Sequence, residues 1–387
     1  MTRILLSAGD ASGELHAAAL VDEVRRRRPG ARFLGLGGPQ MEKAGVDLVA
    51  EQRELAVGGL IEVLTDLRRI VSVWGRMTRA IRDEKPDLVV LVDSPDFNLP
   101  LARRARRLGV PVLYYISPQV WAWRSGRIRK MAKRVDRLAV IFPFEPEVYA
   151  GTDLPVDFVG HPLVDRLGAY AADHPVEACR AALGLDGSGP WVALLPGSRR
   201  NEVRTTLPLQ LDTARALHAR LPGVGFVVAV APSIDRATID AEIGARPLPA
   251  DLELRVVERR TYEVLRAADA VLAKPGTATV EIALLGTPLV VAARVHPMTA
   301  FLGRRLIRVP SLTMPNLIAG ENVVPEYLQE EARPATIAAA LEGILTGPAG
   351  PAQREALGAI RERLGSGGAA RRAADIVLEM VDGASRT

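Results

Sequence analysis

A carboxylate placed directly after a buried strand is a simple way for a fold to present a base, and Asp93 closes the apolar run DLVVLVD (87–93). There it can take a proton from a substrate hydroxyl, which is general-base chemistry. The segment SPDFN follows, bringing Asp96 and Asn98 just beyond the strand. Either can instead cap the helix expected from about residue 98. The D-x-x-D spacing of Asp93 and Asp96 could also recruit Mg²⁺, although no further carboxylate or histidine lies nearby in sequence.

A second group of residues suits phosphate. In KPGTATVEIALLGTP (274–288), Gly276 permits close backbone approach, and Thr277, Ala278 and Thr279 open a helix expected from about 277. Hydroxyls beside the free N–H groups of a helix start can bind a nucleotide's phosphates. Glu281 stands a turn further on, where a carboxylate can accept hydrogen bonds from ribose hydroxyls. It is also an ordinary acid favoured by the helix dipole. In PGSRRNE (196–202), Ser198 can cap the next helix and Arg199 can clamp a diphosphate at its positive end, or remain a solvated arginine. In SAGDASGE (7–14), Gly9 and Gly13 flank Ser12 and other small polar residues, with Glu14 next. This is either a ligand-approach turn or a plain tight turn, and it lacks the GxGxxG dinucleotide fingerprint.

Two segments join apolar and basic residues. SPQVWAWRSGRIRKMAKRVD (117–136) carries Trp121 and Trp123 beside Arg124, Arg127, Arg129, Lys130, Lys133 and Arg134. It reads as a phosphate-bearing acceptor site, a membrane-facing patch or a solvated helix. LIEVLTDLRRIVSVWGRMTRAI (60–81) places Leu60, Val63, Leu64, Leu67, Ile70, Val71, Trp74, Met77 and Ile81 on one helical stripe, as expected of a helix covering a sheet. Ile61 and Val73 fall outside the stripe beside arginines, which also suits contact with anionic lipid. Ile61, Val73 and Trp74 are therefore the membrane-contact candidates. His161 and His296 each precede a proline without a visible partner and read as structural.

The elements that must position these groups alternate. RILLSAG (3–9), ARFLGLG (31–37), DLVVLVD (87–93), VPVLYYI (110–116) and RLAVIF (137–142) read as strands, with helices near 13–28, 60–84, 98–108 and 124–134. Continuous Val/Leu/Ile runs indicate strands buried on both faces, hence a parallel sheet with crossover helices. The pattern restarts after a Pro/Gly/Ala/Asp-rich zone, with strands at 191–198, 225–231, 252–257, 269–274 and 287–293 and a helical tail. The expected fold is α/β: two doubly wound, Rossmann-like parallel-sheet domains facing a cleft. The expected boundaries are 1–170, 171–345 and 346–387, the last packing back on the first domain. At 387 residues, two domains are the default.

The single cysteine, Cys179, excludes an internal disulfide and suits a reducing compartment. No run approaches the roughly 18–20 apolar residues of a membrane span. The net charge of +5 suits anionic partners, but 4% aromatics without basic interleaving argues against single-stranded nucleic acid.

Nine segments in order resemble the lipid-A-disaccharide synthase family, inverting glycosyltransferases of the GT-B type. They are GDASGE (9–14), GGLIEVL (58–64), DSPDFN (93–98), YYISPQVWAWR (114–124), FPFE (142–145), VGHPL (159–163), LLPGSRRNEV (194–203), GTATVEIALLGTP (276–288) and MPNLIAGENVVPEYLQE (314–330). The resemblance implies transfer from UDP-2,3-diacylglucosamine to the 6-hydroxyl of 2,3-diacylglucosamine 1-phosphate, giving a β-1,6 disaccharide 1-phosphate and UDP. It implies Asp93 as base, Arg199 at the diphosphate, Asn316 in the active site, an N-terminal acceptor domain, a C-terminal nucleotide-sugar domain, no cofactor and no metal. It also implies work in the cytoplasm at the inner face of the inner membrane. Gly9, Ser12, Gly13, Glu14, Asp96, Asn98, Trp121 and Arg124 are acceptor-side candidates. Pro275 stands where the family more often has serine, leaving Gly276, Thr277 and Thr279 to carry the phosphates. The nearest alternative is another UDP-N-acetylglucosamine enzyme, a 2-epimerase or the muropeptide transferase.

Overall fold

The computed structural model describes residues 1–55, 63–119, 126–185, 189–294 and 309–384. The chain forms two compact units, Met1–Pro162 with Gly365–Thr387, and Leu163–Leu364.

The first unit is built on seven parallel strands: β1 (Arg3–Ala8), β2 (Arg32–Gly37), β3 (Val46–Glu51), β4 (Leu88–Val92), β5 (Val112–Tyr115), β6 (Arg137–Val140) and β7 (Val156–Phe158). Their order is β3-β2-β1-β4-β5-β6-β7. The sequence LVVLV of β4 is buried throughout, as a central strand covered on both faces must be. Successive strands run outward from β1 in one direction and from β4 in the other. The loops leaving these two strands therefore part, opening the crevice in which doubly wound sheets bind ligands. Ala8 lies opposite Val92 in register, so Gly9 and Asp93 emerge side by side.

The Val63–Glu84 helix covers this sheet with a different face from the one its apolar count suggests. Val73, Met77 and Ile81, spaced four apart, are buried against a core that includes Leu34, Val89 and Leu91. Val71 is instead 60% exposed. Val73 is thus a core residue, not a membrane contact. The helix carries apolar residues on more than half its circumference, so counting alone could not choose its buried face. Ile61 lies outside the described residues. The C-terminal helix, Ala369–Ala384, belongs to this unit. Its Asp382 pairs with Arg28 at 2.6 Å and its Glu379 with Arg137 at 2.6 Å.

The second unit has six parallel strands: β8 (Trp191–Leu195), β9 (Gly225–Val230), β10 (Leu254–Glu258), β11 (Ala270–Ala273), β12 (Leu289–Ala293) and β13 (Glu326–Leu328), ordered β10-β9-β8-β11-β12-β13. Its switch point lies between β8 and β11, so the segments after Leu195 and Ala273 flank the crevice. Strands β3, β7 and β13 were not expected from the sequence. All three are half-exposed sheet edges, without the continuous apolar run that marks a central strand.

Candidate active site

At the first switch point the backbone itself is unusual. Asp93 and Ser94 both have positive φ, 45° and 44°, a left-handed conformation that costs a non-glycine residue about 1–3 kcal/mol. Surrounding bonds hold it. The Asp93 carbonyl accepts from the Asn98 amide at 2.8 Å and from the Tyr114 hydroxyl at 2.5 Å. Asn98 is fully buried and also donates to the Val92 carbonyl at 3.0 Å, while its oxygen accepts from Ser7 Oγ at 2.7 Å. Asn98 therefore fixes the bend rather than capping a helix. The helix starts earlier than expected, at Pro95, with Ser94 in the cap position and no side-chain cap bond.

Gly9 is required here, because a Cβ would lie 2.6 Å from Ser94 Oγ. Asp10 caps the Ala11–Arg27 helix by accepting from the Gly13 N–H at 2.7 Å, and its other oxygen accepts from Ser94 Oγ at 3.2 Å. Burial, and then the negative charge of Asp10, raise the Asp93 carboxyl to about 6, with the Ser94 N–H opposing. A carboxylate at that value is ionised near neutral pH yet basic enough to accept a proton. Asp10 was not singled out from the sequence, because a capping aspartate is common and its proximity to Asp93 is a tertiary fact.

The remaining acceptor-side candidates divide. Glu14 is buried and accepts from the Gln40 backbone and the Gln52 side chain, which makes it structural. Asp96 pairs with Arg127 at 2.5 Å. Ser12 is exposed on the first turn of its helix. Trp121, Arg124 and His296 lie outside the described residues. His161 is buried against Phe142, with burial and then His16 holding its imidazole neutral at about 3, so it is structural as expected.

In the second unit a pocket of about 610 Å³ lies at the β8/β11 crevice, lined by Ser198, Lys274, Gly276, Thr277, Ala278 and Glu281 among others. The Ala278–Leu285 helix begins there, and the N–H groups of Gly276, Thr277 and Ala278 find no acceptor among the described residues. Free donors at a helix start favour an anion. Glu281 accepts from the Tyr262 hydroxyl at 2.7 Å; burial raises its carboxyl, while that hydroxyl and Arg166 oppose the shift. Arg166 lies over the Tyr262 ring at 5.4 Å, and Tyr170 meets it edge-on at 5.4 Å.

Four expected residues take other places. Thr279 is fully buried and its hydroxyl donates to the Gly276 carbonyl at 2.7 Å, holding the turn rather than lining the pocket. Ser198 does not cap the Arg200–Arg220 helix; its N–H donates to Glu202 at 3.0 Å. Arg199 occupies the cap position but is not among the residues lining the pocket; its side chain is 83% exposed and 3.8 Å from Glu202. Lys274 lines the pocket, 3.4 Å from Glu202, and its position just after a strand was a signal the sequence offered. Asn316 is buried and spent on structure. Its amide donates to Val324 and Glu326 at 2.9 Å each, and its oxygen accepts from the Val324 N–H at 2.8 Å. Glu326 gathers Ser311, Leu312 and Thr313 as well; these bonds outweigh burial and leave its carboxyl below the usual range.

Two parallel sheets, each with polar groups at its switch point, agree with the family that sequence comparison finds. Residues 4–362 match the lipid-A-disaccharide synthetase family. The chain belongs to that family. A lipid-A-disaccharide synthase of Geobacter metallireducens is 45% identical over 380 residues, covering 98% of this chain and 97% of that protein. Among solved structures, the calicheamicin glycosyltransferase CalG4 aligns with a TM-score of 0.60 at 18% identity, over 99% of this chain and 98% of that one. The UDP-GlcNAc 2-epimerase of Neisseria meningitidis, bound to UDP-GlcNAc, aligns at 0.65 and 11% identity, over 98% and 99%. At such identities the likeness is one of fold, the GT-B glycosyltransferase fold. The epimerase alternative has only that likeness behind it, whereas the synthase is close across the whole chain.

Proposed function

We propose that this protein transfers 2,3-diacylglucosamine from its UDP derivative to the 6-hydroxyl of 2,3-diacylglucosamine 1-phosphate, making the β-1,6 disaccharide of lipid A and releasing UDP. The observation that carries the reading is Asp93: a strained, partly buried carboxylate raised to about 6 at the switch point of a chain 45% identical to a lipid-A-disaccharide synthase.

The chemistry follows from the side chains. Asp93 accepts the proton of the acceptor hydroxyl, and that oxygen's electron pair forms the new bond to the anomeric carbon. The anomeric C–O bond to the diphosphate breaks as its electron pair leaves with UDP. Attack opposite the leaving group turns an α-linked donor into a β-linked product. Negative charge grows on the diphosphate in the transition state, where fixed cations and N–H donors act most strongly. The free N–H groups of 276–278, the Thr277 hydroxyl and Lys274 suit that task, as does the exposed guanidinium of Arg199. Glu281, oriented by Tyr262, suits the ribose hydroxyls.

Acylated substrates reside in a bilayer. No described helix is long and apolar enough to cross a membrane. The reading is therefore of an enzyme working from the cytoplasmic face of the inner membrane, with the exposed Val71 side of the Val63–Glu84 helix toward lipid. Incubation with UDP-diacylglucosamine and the acylated 1-phosphate should yield UDP and one disaccharide by mass spectrometry. Consumption of UDP-N-acetylglucosamine alone would overturn the assignment.

A further inference from the structure

The Pro95–Arg107 helix carries more arginine than its role at Asp93 needs. A pocket of about 310 Å³ on its flank is lined by Arg103, Arg104, Arg107 and Arg134, with Trp74 and Pro100 closing one side. Among the described residues none of these four arginines is paired with a carboxylate, whereas neighbouring Arg106 meets Asp136 at 3.3 Å. Arg134 reaches only the Leu99 carbonyl, at 3.3 Å. Inside the cluster, the Trp74 indole N–H and the Arg104 Nε are buried without an acceptor among the described residues. Four like charges gathered without a counter-ion repel one another, and buried donors left unpaired cost about 1–3 kcal/mol each. An oxyanion would satisfy both deficits, and guanidinium groups match phosphate geometry.

A second pocket, of about 510 Å³, adjoins across Trp74 and Pro100; Leu55, Ile70, Val71 and Phe97 line its apolar part, and it reaches Gly9, Ser94 and Asp96 beside the Asp93 turn. Val71 beside it is 60% exposed. Anionic and apolar recognition thus meet at one indole.

We propose that the Arg103/Arg104/Arg107/Arg134 pocket binds the phosphate headgroup of an anionic membrane lipid, with the apolar trough beside Trp74 taking its chain. Arg104 lies nine residues along the helix from Pro95, about 13.5 Å between backbone positions at 1.5 Å per residue, so the cluster stands toward the helix end away from Asp93. Loss of turnover in the pocket variants would make the acceptor's own phosphate the occupant and overturn the proposal. Nucleic acid is disfavoured because Leu55, Ile70 and Val71 beside Trp74 suit an acyl chain rather than a sugar-phosphate backbone. The inference rests on the membrane reading given above and adds the site that reads the headgroup.

The test is co-sedimentation of the full chain with phosphatidylglycerol/phosphatidylcholine vesicles, comparing wild type with Arg103→Ala/Arg107→Ala, and with Arg104→Gln as a milder change. A control pair, Arg204→Ala/Arg354→Ala, removes equal charge from exposed sites on the second unit, away from the pocket. Each basic group near an anionic surface is worth roughly fivefold in binding, so the pocket pair should lose about 25-fold. The control should lose far less, and turnover of detergent-dispersed substrates should stay near wild type. Equal losses in both pairs would place the affinity in diffuse charge and overturn the pocket. Wild-type-like binding by the pocket pair overturns it while leaving the membrane reading intact. If wild type fails to bind these vesicles yet makes disaccharide, the lipid site and the membrane contact fall but the reaction stands. Displacement of vesicles by short DNA at equal charge would overturn the lipid assignment.

Discussion

Asp93→Asn separates function from stability in a way that few substitutions can. The wild-type carboxyl rises from 3.8 in an ordinary setting to about 6 in the fold. The folded chain therefore holds a proton more tightly than the unfolded chain. Its contribution to stability is fully present below pH 3.8 and is lost as pH rises through 6. At 1.36 kcal/mol per pH unit the loss is about 3 kcal/mol at pH 8, an upper value because the group is only partly shielded from solvent. Near pH 4.5 the same relation gives about 1 kcal/mol. Asparagine keeps the shape and carries no charge, so Asp93→Asn should gain stability over wild type, and gain more at pH 8 than at pH 4.5. For a domain of this size 1 kcal/mol corresponds to about 2–4 °C. Calorimetric unfolding at the two pH values reads the difference directly. Turnover by the same variant should fall about 10²- to 10⁴-fold, with UDP binding unchanged, and wild-type kcat/KM should rise with pH and level off above about 6. A variant no more stable at pH 8 than at pH 4.5, relative to wild type, would show that the fold does not strain this charge. Unimpaired turnover would remove Asp93 from the role of base.

Arg199→Ala and Lys274→Ala should each lower kcat more than they raise KM for the UDP-sugar, because charge on the diphosphate grows toward the transition state; a pure KM effect would reduce them to ground-state contacts. Tyr262→Phe removes the hydroxyl that donates to Glu281, so UDP affinity by calorimetry should fall several-fold while the acid limb set by Asp93 stays in place. Unaltered affinity would show that the pair does not orient a ribose contact. Val73→Ser should destabilise the chain by about 2–3 kcal/mol, since it empties a fully buried apolar site, whereas Val71→Ser should spare the melting temperature and weaken vesicle binding. The reverse pattern would place Val73 on the surface.

The central strands and the polar residues immediately after Val92, Leu195 and Ala273 are legible in the sequence, whereas the start of the helix after β4 is not. Each rests on local chemistry: a short Val/Leu/Ile run bounded by turn residues reads as a strand buried on both faces, and polar residues at its carboxyl end stand where doubly wound sheets take ligands. Neighbouring residues thus fixed the two doubly wound halves, and with them the positions of Asp93, Ser198 and Gly276–Glu281. What neighbouring residues could not fix was the pairing of distant ones. Asp10 reaches Asp93's surroundings only because β1 and β4 lie side by side, and Tyr262 reaches Glu281 only through the packing of two helices. The edge strands β3, β7 and β13 escaped because a half-exposed strand carries no continuous apolar run. Thr279 reads from the sequence as a phosphate contact and Asn316 is implied by family resemblance alone, yet burial commits the Thr279 hydroxyl to the Gly276 carbonyl and the Asn316 amide to Val324 and the Glu326 carboxylate. Val73 was taken for a surface residue because a helix apolar around most of its girth does not declare its buried side. The choice came from the sheet beneath it, since burial is a property of what a residue packs against and not of its place in a periodic pattern.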